Sequence, residues 1–147
     1  MKAFETEAIR AQMERSHNLE HSAPIYMTSS FVFEDAEDMR ASFSEEKDRN
    51  IYSRYSNPNT SELIGKVAKM EGVEDGVAFA SGMSAIYTTF AALLSSGDHI
   101  VSCRAVFGST HTLYTQFFPK WGIEHSYFDP GDFDSLEAAI TPKTKIL

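Results

Sequence analysis

Apolar positions fall into a regular rhythm only from Asn59 onward. Leu63, Ile64, Val67 and Met70 share one face of a helix, which Asn59 or Thr60 can cap and Gly72 can close. Gly76-Val77-Ala78-Phe79-Ala80 is a short apolar run bounded by turn residues, the pattern of a buried strand. Ser84 to Leu94 reads as a nearly all-apolar helix, stopped by Ser95-Ser96-Gly97-Asp98. His99 to Cys103 predicts the next strand, Thr110 to Trp121 the next helix, and Ile123 to Phe128 a further strand after Gly122. Asp134 and Glu137 form a capping-box-like pair at a helix through Ile140, which Thr141-Pro142 ends before Lys145-Ile146-Leu147 starts another strand. Strands of about five residues alternating with helices of about eleven predict an α/β fold, a mostly parallel sheet with helices on both faces. Such sheets place ligands at the carboxyl ends of their strands.

Residues 1–58 lack this alternation. A polar stretch from Ala11 to Ser22 leads into Ala23 to Phe33, where Pro24 and the aromatic and β-branched residues predict extended backbone. Ala36, Met39 and Phe43 mark a short helix over 35–43, and Glu45 to Asn50 is a solvated loop. The strand at Lys145 begins with no partner or following helix, and only about three complete strands fit where doubly wound sheets carry five or more. The chain therefore reads as the N-terminal part of a longer polypeptide, truncated within its sheet.

Composition narrows the functions. Of 147 residues, 42% are hydrophobic and 12% aromatic, including 11 Phe, 6 Tyr and 1 Trp, enough surface to bury a core. A net charge of −8 disfavours nucleic acid, and no apolar run reaches the roughly 18–20 residues that cross a bilayer. A lone Cys103 and an N-terminus without an apolar core lead us to expect a cytoplasmic protein without a disulfide. The 5 His show no metal-ligand spacing, so no metal site is expected.

Three junctions carry candidate chemistry. Phe79-Ala80-Ser81-Gly82-Met83-Ser84 runs from a strand through small residues into a helix, so backbone amides at Gly82 and Met83 and the positive end of the helix dipole face any anion there. The competing reading is a plain tight turn. In Tyr52-Ser53-Arg54-Tyr55-Ser56-Asn57-Pro58, Tyr52 and Arg54 lie two apart and share one side of an extended backbone, a phenol and a guanidinium suited to phosphate. A surface loop with an uninvolved Arg is the alternative. Phe107-Gly108, after the carboxyl end of a strand, offers a ring that can stack on a flat cofactor or simply join the core. His99 and His111 receive no role, and Cys103 is expected to be a small buried apolar residue.

Taken in order, Ala23 to Phe31, Tyr52 to Pro58, Ala80 to Ala85, Gly97 to Val101 and Phe107 to Thr110 resemble the Cys/Met-metabolism family of pyridoxal-phosphate (PLP) enzymes over nearly the whole chain. Val106 to Thr110 and Ser29 to Phe33 resemble its O-succinylhomoserine and O-acetylhomoserine sulfhydrylases, with cystathionine γ-synthase and the cystathionine and methionine γ-lyases as relatives. The resemblance implies a fold-type-I PLP-dependent transferase of trans-sulfuration and methionine biosynthesis, assembled as a homotetramer of catalytic dimers. It implies that residues 1–58 form an extended N-terminal arm and inter-subunit loop, and residues 59–147 the first part of the PLP-binding domain. By position, Ser81, Gly82 and Met83 would hold the cofactor phosphate of their own subunit, Tyr52 and Arg54 would reach the partner's, and Phe107 would stack on the pyridine ring. Many relatives carry Tyr at Phe107; without the phenol no proton can move there, which favours γ-replacement by sulfide on an O-acylhomoserine over γ-elimination. The cofactor-linking lysine is expected outside these residues, leaving no catalytic residue in this chain and predicting that the segment alone is inactive. A non-catalytic fragment that persists as an assembly partner is the rival reading.

Overall fold

A computed structural model describes residues 4–11 and 15–147, so part of the polar stretch expected over 11–22 lies outside the described residues. Two compact units, 1–78 and 79–147, make up the chain.

The first unit holds helices α1 (Phe4–Arg10), α2 (Ala36–Phe43) and α3 (Pro58–Glu71). Helix α2 starts where Asp35 accepts a hydrogen bond from Asp38 N at 2.8 Å. Helix α3 is capped by Asn57, two residues before Asn59 and three before Thr60: Asn57 is buried and extended, and its side chain accepts from Asn59 N at 2.9 Å. Pro58, which has no N–H to satisfy, then takes the first helical position, and the preference of proline for an extended predecessor explains the shift. Gly72 closes the helix in the left-handed region at φ 71°, as its position predicts.

Between α2 and α3 the chain doubles back on the 28–31 segment. Ser30 and Tyr52 pair in an antiparallel bridge, flanked by Phe31 N donating to Ile51 O at 3.2 Å and Ser53 N to Ser29 O at 2.9 Å. The expected extended backbone at 23–33 thus exists as this ladder and not as a sheet. A buried carboxylate secures its base. Asp38 accepts from Glu34 N at 3.1 Å and pairs with Lys47 at 2.5 Å and with Arg49. Arg49 also donates to Val32 O at 2.7 Å and lies over the Phe33 ring at 5.1 Å.

The second unit contains α4 (Gly82–Leu93), β1 (His99–Cys103), α5 (Gly108–Thr112), β2 (Glu124–Phe128), α6 (Phe133–Ala139) and β3 (Thr144–Ile146). The sheet has the order β2-β1-β3 with every pair parallel, in the register His99 to Glu124 through Cys103 to Phe128. Ile100, Tyr114, Phe118, Ile123 and Leu94 form its core, and Phe90 meets Tyr114 and Phe118 edge-on at 5.6 and 5.5 Å.

Three expectations need correction here. Gly76 to Ala80 is not a buried strand: it pairs with nothing among the described residues and all five residues are exposed. Extended backbone becomes a strand only through a ladder partner, and β1 already has neighbours on both sides. The helix expected over 110–121 begins at Gly108 and changes type, with a π-helical segment at Leu113–Phe117 and a 3-10 turn at Phe118–Trp121. Pro119 removes one helical N–H, and the wider turn keeps Tyr114 and Phe118 facing the sheet while the backbone adjusts. Asp132 and not Asp134 caps α6, accepting from Ser135 N at 3.0 Å.

Candidate functional site

The turn into α4 is built as an open cup of amides. Ser81 is extended (φ −153°, ψ 155°), its Oγ accepts from Ser84 N at 3.1 Å, and its carbonyl accepts from Ala85 N at 3.1 Å. That leaves the amides of Gly82 and Met83, which make no backbone hydrogen bond among the described residues. Nothing lies within 4 Å of where a Gly82 Cβ would project. Space, two free donors and the helix dipole fit a phosphate group.

A second loop end meets this one. Thr110, buried in the first turn of α5, directs its Oγ1 toward Met83 Sδ at 3.9 Å. The Phe107 carbonyl accepts from Thr110 N at 2.9 Å and His111 N at 3.0 Å, which fixes the backbone just past the carboxyl end of β1. The Phe107 ring itself is 73% exposed, so it is not the core residue that one reading allowed. An exposed ring on an anchored backbone is available for stacking.

In the first unit, Tyr52 and Arg54 lie together for a different reason than the two-residue spacing suggests. The backbone turns after the Ser30–Tyr52 bridge, with Tyr55 N and Ser56 N both donating to Tyr52 O at 2.8 and 3.0 Å. The Arg54 guanidinium carbon then sits 5.4 Å from the Tyr52 ring and 5.4 Å from the Tyr55 ring. Among the described residues Arg54 joins no ion pair, whereas Arg40, Arg49 and Arg104 each hold a carboxylate. In the sequence Tyr55 carries no assigned role, and Asn57-Pro58 marks only a turn before the helix. Asn57 Nδ2 donates to Tyr26 O at 3.3 Å and to Ser53 Oγ at 3.1 Å, closing the far end of the turn.

Several other polar groups of the described residues are already engaged. His99 is buried with Nδ1 against Thr144 Oγ1 at 2.8 Å and Nε2 against Ser126 Oγ at 3.0 Å, a satisfied structural histidine. His111 Nδ1 meets Tyr127 OH at 2.7 Å, and burial holds the Tyr127 phenol above its usual range. Burial, aided by the His111 and His99 charges, lowers the pKa of His125. Cys103 is half-buried and its Sγ accepts from Ala105 N at 3.4 Å. Lys47, Lys66, Lys69 and Lys143 are held in ion pairs with Asp38, Glu62, Glu7 and Glu124. No helix among the described residues is long and apolar enough to cross a membrane.

Comparison with known proteins gives these features a context. The chain is 44% identical over 144 residues to the O-succinylhomoserine sulfhydrylase of Pseudomonas aeruginosa, covering 98% of this chain and 36% of that protein. It is 36% identical over 126 residues to the L-methionine gamma-lyase of Porphyromonas gingivalis, covering 86% of this chain and 32% of that one. The fold matches the crystal structure of a putative O-acetylhomoserine (thiol)-lyase from Campylobacter jejuni with a TM-score of 0.90 at 35% identity, over 99% of this chain and 36% of that one. That structure carries a pyridoxyl-lysine phosphate. The chain thus spans about a third of the length of the relatives it matches. Residues 5–147 match the model of the Cys/Met metabolism PLP-dependent enzymes, and the chain belongs to that family.

Proposed function

We propose that this chain is the N-terminal part of an O-acylhomoserine sulfhydrylase, which forms homocysteine from O-succinyl- or O-acetylhomoserine and sulfide by γ-replacement. Carrying this reading is the pair of unclaimed amides at Gly82 and Met83, in the same unit as the exposed Phe107 ring, in a chain 44% identical to a sulfhydrylase.

Pyridoxal phosphate supplies an electron sink that stabilises negative charge at carbon atoms next to the substrate amine. The residues of this chain bind and orient it. Gly82 and Met83 donate backbone N–H groups to the phosphate, and Ser81, whose Oγ accepts from Ser84 N and lies 2.8 Å from Ser84 Oγ, fixes the first turn that presents them. Phe107 stacks on the ring face. Tyr52 and Arg54 contribute a phenol and a guanidinium to the phosphate held by a neighbouring copy, in a catalytic dimer and from it a tetramer. Phe107 has no ionisable group, so no proton is held or moved at that ring, and proton transfer belongs to groups elsewhere. The free thiol of Cys103 fits work in the reducing cytoplasm.

The test is a substrate matrix on the full-length protein. Sulfide with an O-acylhomoserine is expected to give homocysteine faster than cysteine gives cystathionine, with little release of methanethiol from methionine alone. Methanethiol release as the dominant reaction would replace this reading with a γ-lyase, and cystathionine as the main product with a γ-synthase.

A further inference from the structure

We propose that Tyr55 is a positioning residue that, with Tyr52, brackets the Arg54 guanidinium and presents its N–H groups to a phosphate dianion. This rests on the phosphate-binding role proposed for Arg54.

An exposed arginine ordinarily samples many rotamers, and ordering it on binding costs affinity. Here two rings restrict it. The guanidinium lies 5.4 Å from each ring, and the rings themselves sit 6.5 Å apart at 66°. A cation 5.4 Å from two ring centroids is attracted by both ring quadrupoles, and among the described residues its N–H groups join no ion pair that would compete with an anion.

The bracket is set by the backbone. Both Tyr55 N and Ser56 N converge on Tyr52 O, and this turn carries the ring of Tyr55 back toward that of Tyr52. The turn is fixed on one side by the bridge to Ser30 and by Ser53 Oγ donating to Thr28 O at 2.6 Å. On the other side Asn57 clamps it to Tyr26 O. Tyr55 is 71% exposed, and its only ring contacts among the described residues are Tyr52 and Arg54, so packing does not account for its place.

Affinities of the full-length apoprotein for pyridoxal phosphate and for pyridoxal, which lacks the phosphate, separate the possibilities. Tyr55→Ala is expected to weaken pyridoxal phosphate about two- to fivefold and to leave pyridoxal unchanged, as loss of one exposed cation–π contact requires. Tyr55→Phe keeps the ring and is expected to match the parent. In an Arg54→Ala background, Tyr55→Ala should add nothing. Equal weakening of both ligands, or a Phe variant as weak as the Ala variant, would overturn the bracket while leaving Arg54's role intact. An Arg54→Ala protein that still prefers pyridoxal phosphate over pyridoxal to the parental degree would overturn the phosphate role, and the bracket with it.

Discussion

Asp38 shows how a single carboxylate holds the loop that carries Tyr52 and Arg54. Its oxygens collect Lys47, the Glu34 amide and Arg49, and these hold its pKa below the ordinary 3.8. A carboxyl with a lowered folded pKa contributes stability that is complete above 3.8 and fades as pH falls through the folded value. Asp38→Asn is therefore expected to destabilise the protein above about pH 5, with the gap to the parent closing in stronger acid. Unfolding midpoints measured across that range check this, and a gap that stays constant to low pH would show that the charge on Asp38 contributes nothing. Legibility at this scale followed local geometry. Gly82 and Met83 could be singled out from a small-residue turn into a helix, and Phe107 from its place after the end of a strand. Asp38 could not, since its partners come from residues 34, 47 and 49, and nothing in a local pattern announces that they converge.

Among the elements, β1 matched its expected span and β2 began one residue later than Ile123. Short β-rich runs between turn residues specify strands well when both faces are covered. The 76–80 run has the same signature and forms none, because a strand depends on a partner whose availability its own sequence does not encode. Helix ends behaved similarly: α3 and α6 each begin at a capping residue other than the one expected, Asn57 and Asp132, where several candidates stood close together. Glycines at two element ends allow a graded test. Gly72 and Gly122 both adopt positive φ, 71° and 72°, but a Cβ at Gly72 meets nothing and one at Gly122 runs into Ser96 Oγ. Gly72→Ala should cost about 1–2 kcal/mol from backbone strain alone. Gly122→Ala should cost more, and Ser96→Ala in the same chain should return it to the Gly72→Ala level. Denaturant unfolding of the set decides, and equal costs without any rescue would remove the steric argument.

For the whole molecule, the proposal joins two separate pieces of chemistry, an amide cup in one unit and an aromatic-flanked arginine in the other, through the symmetry of an oligomer. The parallel sheet was legible from the alternation of elements, whereas a site proposed to be shared between copies leaves no periodic mark on a sequence. Gly82→Pro offers a clean lesion, because Ser81 is already extended and proline is accepted at the first helical position while removing the N–H. Each of Gly82→Pro and Arg54→Ala is expected to impair the full-length enzyme. The decisive measurement is activity after the two variants are mixed, dissociated and reassembled. If each socket takes its amides from one copy and its arginine from the next, about one site in two of every hybrid dimer is intact and activity returns. If both parts of the socket come from the same copy, every hybrid site carries a lesion, and activity that stays at the level of the separate variants would contradict the shared socket.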